Sequence, residues 1–231
     1  MLDFHTHILP NIDDGSASPE MSAAMLKKMY DSGIDTVFAT PHYYADEMSI
    51  DEFLGKRAAS LDALYKACGT KHIPKICPGA EVHITEALTS QRGLDRLCIE
   101  GTNLILIEPP YTMWPDSIFA YIEHILSNYC IVPVIAHIDR YVFNQEKQKI
   151  KRLFDAELLF QANAVSIINR STRRKMLGLI KKGQVQFIGS DAHNLTTRPP
   201  NINEAYEIIQ KKLSAKKFGE FMYYSDNVFN I

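Results

Sequence analysis

Leu104-Ile105-Leu106-Ile107-Glu108-Pro109-Pro110 is the stretch on which the fold turns. Four strand-forming aliphatics run into a carboxylate, and two prolines end the run. A glutamate so placed is costly if buried without a partner, so its partner must come from elsewhere in the chain. The same device recurs. Residues 1–7 end on His5-Thr6-His7, and residues 35–39 run into Thr40-Pro41-His42. Residues 76–81 end on Glu81, residues 132–136 precede His137, and residues 185–189 lead to Asp191-Ala192-His193. Residues 158–162 form one more strand candidate, and Asp13-Asp14-Gly15 follows the first.

Helical patterns separate most of these strands. Ser18 offers an N-cap with Pro19 at the first helical position, and Gly33 ends a pattern carrying Met21, Met25, Leu26 and Met29. Ser49 and Glu52 form a capping-box pair before Leu54, Leu61, Tyr65 and Cys68. Further helices are expected at 117–128, 145–154, 172–182 and 203–213, with a weaker short one at 86–91. Strands alternating with helices predict a parallel sheet. No Gly-rich phosphate loop follows the first strand, which argues against an open nucleotide-binding sheet. The expectation is an α/β fold, a barrel of about seven β/α units. No linker, repeat or low-complexity tract interrupts it, so residues 1–231 read as one domain.

Composition removes several classes. A net charge of −2 gives no basic excess for neutralising phosphates of nucleic acid. No apolar run is long enough to span a bilayer, and no basic, cleavable leader opens the chain, so a cytoplasmic protein is expected. Cys68, Cys77, Cys98 and Cys130 form no C-x-x-C pair and read as free thiols. The residues six places beyond them are Pro74, His83, Leu104 and Ala136, so no cysteine heads an arginine-bearing phosphate loop.

A parallel barrel gathers its strand ends on one face. His5, His7, Asp14, His42, Glu81, Glu108, His137, Asp191 and His193 would meet there as metal ligands. The i, i+2 spacing of His5 and His7 lets both imidazoles reach one ion, and Asp191 and His193 are again two apart. Imidazole and carboxylate without thiolate suit manganese, iron or zinc. Arg140 and Arg198 lie close behind His137 and His193, and their forks match phosphate oxygens. His72, His83 and His124 lack this context and read as surface or structural residues.

These motifs resemble the PHP (polymerase and histidinol phosphatase) superfamily. More closely, they are similar to the bacterial manganese-dependent tyrosine-protein phosphatases of capsule and exopolysaccharide systems, the CpsB/CapC/YwqE type. The carriers are Asp3-Phe4-His5-Thr6-His7-Ile8-Leu9-Pro10, Asp13-Asp14-Gly15, Ala39-Thr40-Pro41-His42 and Gly79-Ala80-Glu81, then Ala136-His137-Ile138-Asp139-Arg140-Tyr141, Gln161-Ala162-Asn163, and Ser190-Asp191-Ala192-His193-Asn194 through Arg198-Pro199-Pro200. The chain departs from the family where Tyr43, not a second histidine, follows Thr-Pro-His. The resemblance implies a distorted (βα)7 barrel holding three metal ions. His5, His7, Glu81 and Asp191 would bind one. Glu81 would bridge to a second, shared with Glu108 and His137, and Asp14, His42 and His193 would bind the third. Arg140 and Arg198, with His42, would be catalytic.

The expected reaction is hydrolysis of phosphotyrosine by attack of a metal-bound hydroxide, with a tyrosine autokinase of polysaccharide export as partner. Tyr111 and Trp114 are candidates for docking a peptide, or else simply cover the rim. The alternatives are a small-molecule phosphatase of the histidinol-phosphate kind, a metal-dependent amidohydrolase, and a non-catalytic metal-binding partner of a kinase complex.

Overall fold

Nine parallel strands make up seven units of barrel wall in the computed structural model, which describes residues 1–69, 71–156 and 158–231. They are β1 (Leu2–Thr6), β2 (Thr36–Ala39), β3 (His42–Tyr43), β4 (Lys75–Pro78), β5 (Glu81–His83), β6 (Leu104–Glu108), β7 (Val132–Ile135), β8 (Leu159–Asn163) and β9 (Phe187–Gly189). Their order is β1-β2-β4 in one sheet and β3-β5-β6-β7-β8-β9 in the other. Only Thr40-Pro41 separates β2 from β3, and only Gly79-Ala80 separates β4 from β5. The two breaks lie side by side, since the Gly79 amide donates to the Ala39 carbonyl (2.8 Å) and the Glu81 amide to that of Pro41 (2.9 Å). The expected single strand at 76–81 is therefore two. Gly79 sits at the crease, where a Cβ would come within 2.8 Å of Ile99 Cγ1.

The far edges of the wall meet. Thr6 bridges Ala192 in parallel, the Asp191 amide donates to the His5 carbonyl (2.9 Å), and the His7 amide donates to the Ala192 carbonyl (3.0 Å). These contacts close β9 onto β1, which gives the distorted seven-unit barrel that the sequence pattern predicts. Register across β1 and β2 slips: Asp3 pairs with Val37, but Thr6 pairs with Ala39. The extra residue on β1 is a bulge, a device that re-aims side chains. It lets Phe4 pack on Phe38 and Phe187 (centroids 5.1 and 4.0 Å) while the adjacent His5 faces the strand ends.

Strand side chains alternate between two apolar cores. Leu104, Leu106, Val134 and Phe187 join Phe4 in the smaller one. Ile105, Ile107, Ile135 and Ile188 join the larger core with the helices. Those helices are α1 (Pro19–Asp31), α2 (Ile50–Cys68), α3 (Ser117–Asn128), α4 (Ile138–Asn144), α5 (Lys147–Phe154), α6 (Ala164–Ile168), α7 (Arg170–Lys181), α8 (Ile202–Lys212) and α9 (Ala215–Asp226). Both predicted caps form. The Ser18 hydroxyl accepts from the Met21 amide, and Ser49 and Glu52 make a reciprocal capping box. In α2 the deepest apolar residues are Phe53 and Leu64, with Leu54, Leu61, Tyr65 and Cys68 packed at the flank. The short helix expected at 86–91 is a 3-10 turn at Glu86–Ser90, while α4, α6 and α9 have no counterpart in the sequence reading. Among the described residues, no helix is long and apolar enough to cross a membrane.

Candidate metal centre

All nine predicted donors converge in one cluster at the C-terminal ends of the strands. Register does part of this work. His42 pairs with Glu81 across β3 and β5, and His83 pairs with Glu108 across β5 and β6. Glu81 is the hub and is fully buried. Its Oε1 lies 2.6 Å from His137 Nε2 and 3.4 Å from His5 Nε2, and its Oε2 lies 3.2 Å from His7 Nε2 and 3.0 Å from His42 Nδ1. Glu108 stands at the edge, 3.7 Å from His137 Nε2. Asp14 is the most exposed donor, 3.5 Å from His42 Nε2 and 3.4 Å from His193 Nε2. Ring centroids of His7 and His193 are 3.9 Å apart, and those of His7 and His42 are 4.6 Å apart.

Four of the five imidazoles are anchored through Nδ1 so that Nε2 points inward. His5 Nδ1 meets Thr40 Oγ1 (2.6 Å), and His7 Nδ1 meets Asp13 Oδ2 (2.7 Å). His137 Nδ1 meets Asn163 Oδ1 (2.9 Å), and His193 Nδ1 meets the Asp191 carbonyl (2.9 Å). Such outer partners fix ring orientation in metal sites. Asp13 also accepts from the amides of Gly15 (2.9 Å) and His42 (3.0 Å), so it ties the first loop to β3. Gly15 permits this, because a Cβ there would lie 2.4 Å from the His7 carbonyl oxygen.

His137 and Asp191 both take left-handed backbone conformations, with φ of 52° and 54°. Residues without glycine's freedom rarely adopt it, and where they do the surroundings hold them there. For His137, the Gln161 Oε1 that accepts from its amide (2.9 Å) does so, together with Asn163 and Glu81 on its ring. For Asp191, Oδ2 accepts from Asn163 Nδ2 (3.0 Å) and lies 3.0 Å from Arg140 Nη2 and 2.6 Å from Arg198 Nη2.

Charge follows this geometry. Burial alone would depress the His5 imidazole, but the negative charges of Glu81 and Asp191 beside it outweigh that and push it up to about 9. Burial is likewise overcome at His7, where Asp13 and Glu81 push the ring up to about 10. Glu81 and Asp191 are held well below the usual carboxylate range, burial being outweighed by the surrounding histidines. His193 moves the other way. Burial and the charges of His7 and Arg198 bring it down to about 4, which leaves it a neutral lone-pair donor.

Six donor atoms in the cluster are buried with no hydrogen-bond partner: Nε2 of His5, His7 and His193, Nδ1 of His42, Oε2 of Glu81 and Oδ1 of Asp191. Unsatisfied buried polar atoms are rare and costly. Here they face one another, which is the arrangement that cations relieve. Atoms of His7, Asp14, His42 and His193 lie within 4.8 Å of one another, as do atoms of His5, His7 and Glu81, of His5, His137 and Asp191, and of His42, Glu81 and Glu108. The donor set therefore fits more than one divalent ion.

Some site members lie outside the predicted set. His83, read as surface or structural, stands 3.4 Å from Glu108 Oε2, and Tyr44 lies between His42 and His83 with ring centroids 5.5 Å from each. Trp114, a docking candidate, is only 2% exposed. Its indole Nε1 donates to the Pro110 carbonyl (2.9 Å), and its ring packs on Tyr141. It covers the rim from within, and the alternative reading of that residue is the one realised.

Comparison with known proteins places this geometry. A model of the capsular polysaccharide synthesis CpsB/CapC family matches residues 1–229. The chain is 29% identical to the tyrosine-protein phosphatase CpsB of Streptococcus pneumoniae, over 95% of this chain and 94% of that one. It is also 29% identical to the tyrosine-protein phosphatase YwqE of Bacillus subtilis strain 168, over 94% and 86%. Its fold superposes with a TM-score of 0.78 and 24% identity on a crystal structure from work on YwqE and CpsB, metal-dependent tyrosine phosphatases, covering 99% of this chain and 94% of that one. A phosphotriesterase homology protein of Escherichia coli shares the fold more distantly, with a TM-score of 0.53 and 12% identity over 94% and 93%.

Proposed function

Since the chain belongs to the CpsB/CapC family of capsular polysaccharide synthesis, we propose that it is a metal-dependent protein-tyrosine phosphatase. The observation that carries this reading is the set of six buried, unpartnered donor atoms facing one another across the strand ends. His5, His7, Glu81 and Asp191 would hold one ion, Glu81, Glu108 and His137 a second, and Asp14, His42 and His193 a third. Manganese is the ion we infer from the family resemblance; the oxygen and imidazole donors without thiolate suit it, as they suit iron or zinc. Divalent ions held there would supply Lewis acidity toward phosphoryl oxygens and toward a water.

The protein's own residues do the rest. Arg140 and Arg198 come from the segments after β7 and β9, are partly exposed, and converge on the same oxygen of Asp191. Their guanidinium groups would meet a phosphoryl dianion beside the donor cluster and hold charge that builds on its oxygens. The leaving phenol has a pKa near 10, so a strongly acidic donor is dispensable. Burial raises the thiols of Cys68, Cys77 and Cys98, so none of the three is poised as a thiolate nucleophile. We infer one catalytic unit over residues 1–231. A tyrosine autokinase of polysaccharide export, met in the cytoplasm, is the substrate that fits the family, and the four free cysteines suit a reducing compartment.

One assay tests the reading. Protein stripped with chelator and reloaded with manganese is offered phosphotyrosine peptide, phosphoserine peptide and histidinol phosphate. Manganese-dependent phosphate release from phosphotyrosine above the other two is expected. Preference for histidinol phosphate, or release insensitive to chelator, overturns it.

A further inference from the structure

Apolar side chains are unevenly exposed around the site. Tyr111, Met113 and Phe143 are 71, 57 and 55% exposed, and all three lie in segments that leave the C-terminal ends of β6 and β7. Val165 and Leu195 continue the exposure behind β8 and β9. Among the described residues, no large exposed apolar side chain lies in residues 7–18, 44–49 or 84–103, which directly follow β1, β3 and β5; Tyr30 sits beyond them at the far end of α1.

The three are held together by the chain. Gln145, at the end of α4, donates from Nε2 to the Thr112 carbonyl (2.9 Å) and accepts at Oε1 from the Trp114 amide (3.0 Å). The loop bearing Tyr111 and Met113 is thus pinned beside Phe143. Its floor is rigid, because buried Trp114 packs on Tyr141, whose hydroxyl donates to the Pro109 carbonyl. Phe143 also stands one helical turn after Arg140 on α4, the spacing at which side chains share a face. The apolar ledge therefore adjoins an arginine that we place on the phosphoryl group.

We propose that Tyr111, Met113 and Phe143 form a docking ledge for apolar side chains next to the phosphotyrosine in a peptide substrate. The inference rests on the phosphatase reading and adds to it a preference for sequence around the phosphorylated residue. Its occupant is a peptide because the ledge follows Glu108 along the chain and shares α4 with Arg140, so that residues flanking a phosphotyrosine held at Arg140 come within reach of it. Covering about half of one such side chain is worth a factor of roughly ten in affinity.

The test uses peptides carrying phosphonomethyl-phenylalanine, a non-hydrolysable phosphotyrosine mimic, flanked by leucine and phenylalanine or by serine and glycine. Fluorescence anisotropy with the manganese-loaded protein should show about tenfold tighter binding of the apolar-flanked peptide. The triple variant Tyr111→Ser, Met113→Ser, Phe143→Ser should lose that difference yet hydrolyse a small aryl phosphate as before. Equal binding of both peptides by the unaltered protein overturns the ledge, as does a variant that keeps the discrimination. Partition of the protein onto phosphatidylglycerol vesicles, or concentration-dependent dimerisation, that the triple variant abolishes would assign the ledge to a membrane or to a second copy and also overturn it. The two proposals fail separately: discrimination without any phosphotyrosine hydrolysis sinks the phosphatase reading alone, and hydrolysis without discrimination sinks the ledge alone.

Discussion

At His137 the ring is gripped from both sides, by Asn163 Oδ1 at Nδ1 and by Glu81 Oε1 at Nε2. Asn163 also donates to Asp191, so one amide orients two proposed ligands. Asn163→Ala should lower turnover about 10–100-fold, the usual cost of losing an outer partner in a metal site. Steady-state kinetics with a manganese titration checks this, and unchanged metal dependence would show that Asn163 orients nothing. The cysteines give the opposite expectation. Burial pushes the Cys98 thiol up to about 12, so at pH 8 almost none is thiolate, whereas Cys130 is exposed. Iodoacetamide at pH 8 should label Cys130 first, as mapped by mass spectrometry, and leave phosphatase activity intact; parallel loss of activity would point to a thiol mechanism. The nine donors were legible in the sequence because each sits where an apolar run stops, a pattern independent of tertiary detail. Gln161 and Asn163 entered only as part of the family resemblance, without a role, and His83 was set aside, since an amide or a lone histidine has no chemistry of its own until the fold sets it beside a ligand.

Elements were legible to the extent that local signals fixed them. The caps of α1 and α2 form as read, because a serine and its i+3 partner settle a helix start within one turn. The crease that divides β2 from β3 and β4 from β5 was invisible, because it depends on two neighbouring breaks hydrogen-bonding to each other. Helix α9 has only a short apolar stripe, Phe218, Phe221 and Met222, of which Phe221 alone is fully buried. Two glycines separate packing from propensity. A Cβ on Gly189 would fall 2.6 Å from His5 Cβ and 2.9 Å from His5 N, where β9 closes on β1. Gly189→Ala should destabilise by about 1–3 kcal/mol through overpacking and weaken metal binding. Gly178 lies inside α7, and a methyl group added there would meet nothing within 4 Å, so Gly178→Ala should stabilise by about 0.5–1 kcal/mol. Urea denaturation of both variants decides; a neutral Gly189→Ala would mean that the closure has slack.

Across the whole molecule, the barrel spends its centre on polar groups. One end of the interior is packed with Phe4, Phe38, Leu106 and Phe187, and the other carries the donor cluster. Closure itself was readable only as a topology that seven alternating units permit, since the joining contacts run between residues nearly two hundred positions apart, such as Thr6 and Ala192. Those joining residues are also neighbours of His5, His7 and Asp191, so the seam of the barrel and the proposed metal site are one structure. Ligand that binds the folded state stabilises it by mass action. One ion at a hundred times its dissociation constant adds about 2.7 kcal/mol, which for a chain of this length raises Tm by about 5–11 °C. Chelator-stripped protein should therefore gain at least about 5 °C on adding manganese, read by calorimetry. Glu81→Gln should lose most of that gain, because Glu81 reaches four of the five imidazoles. An equal Tm with and without manganese would mean that the cluster holds the seam by its own ion pairs, and that cations bind too weakly for the chemistry assigned to them.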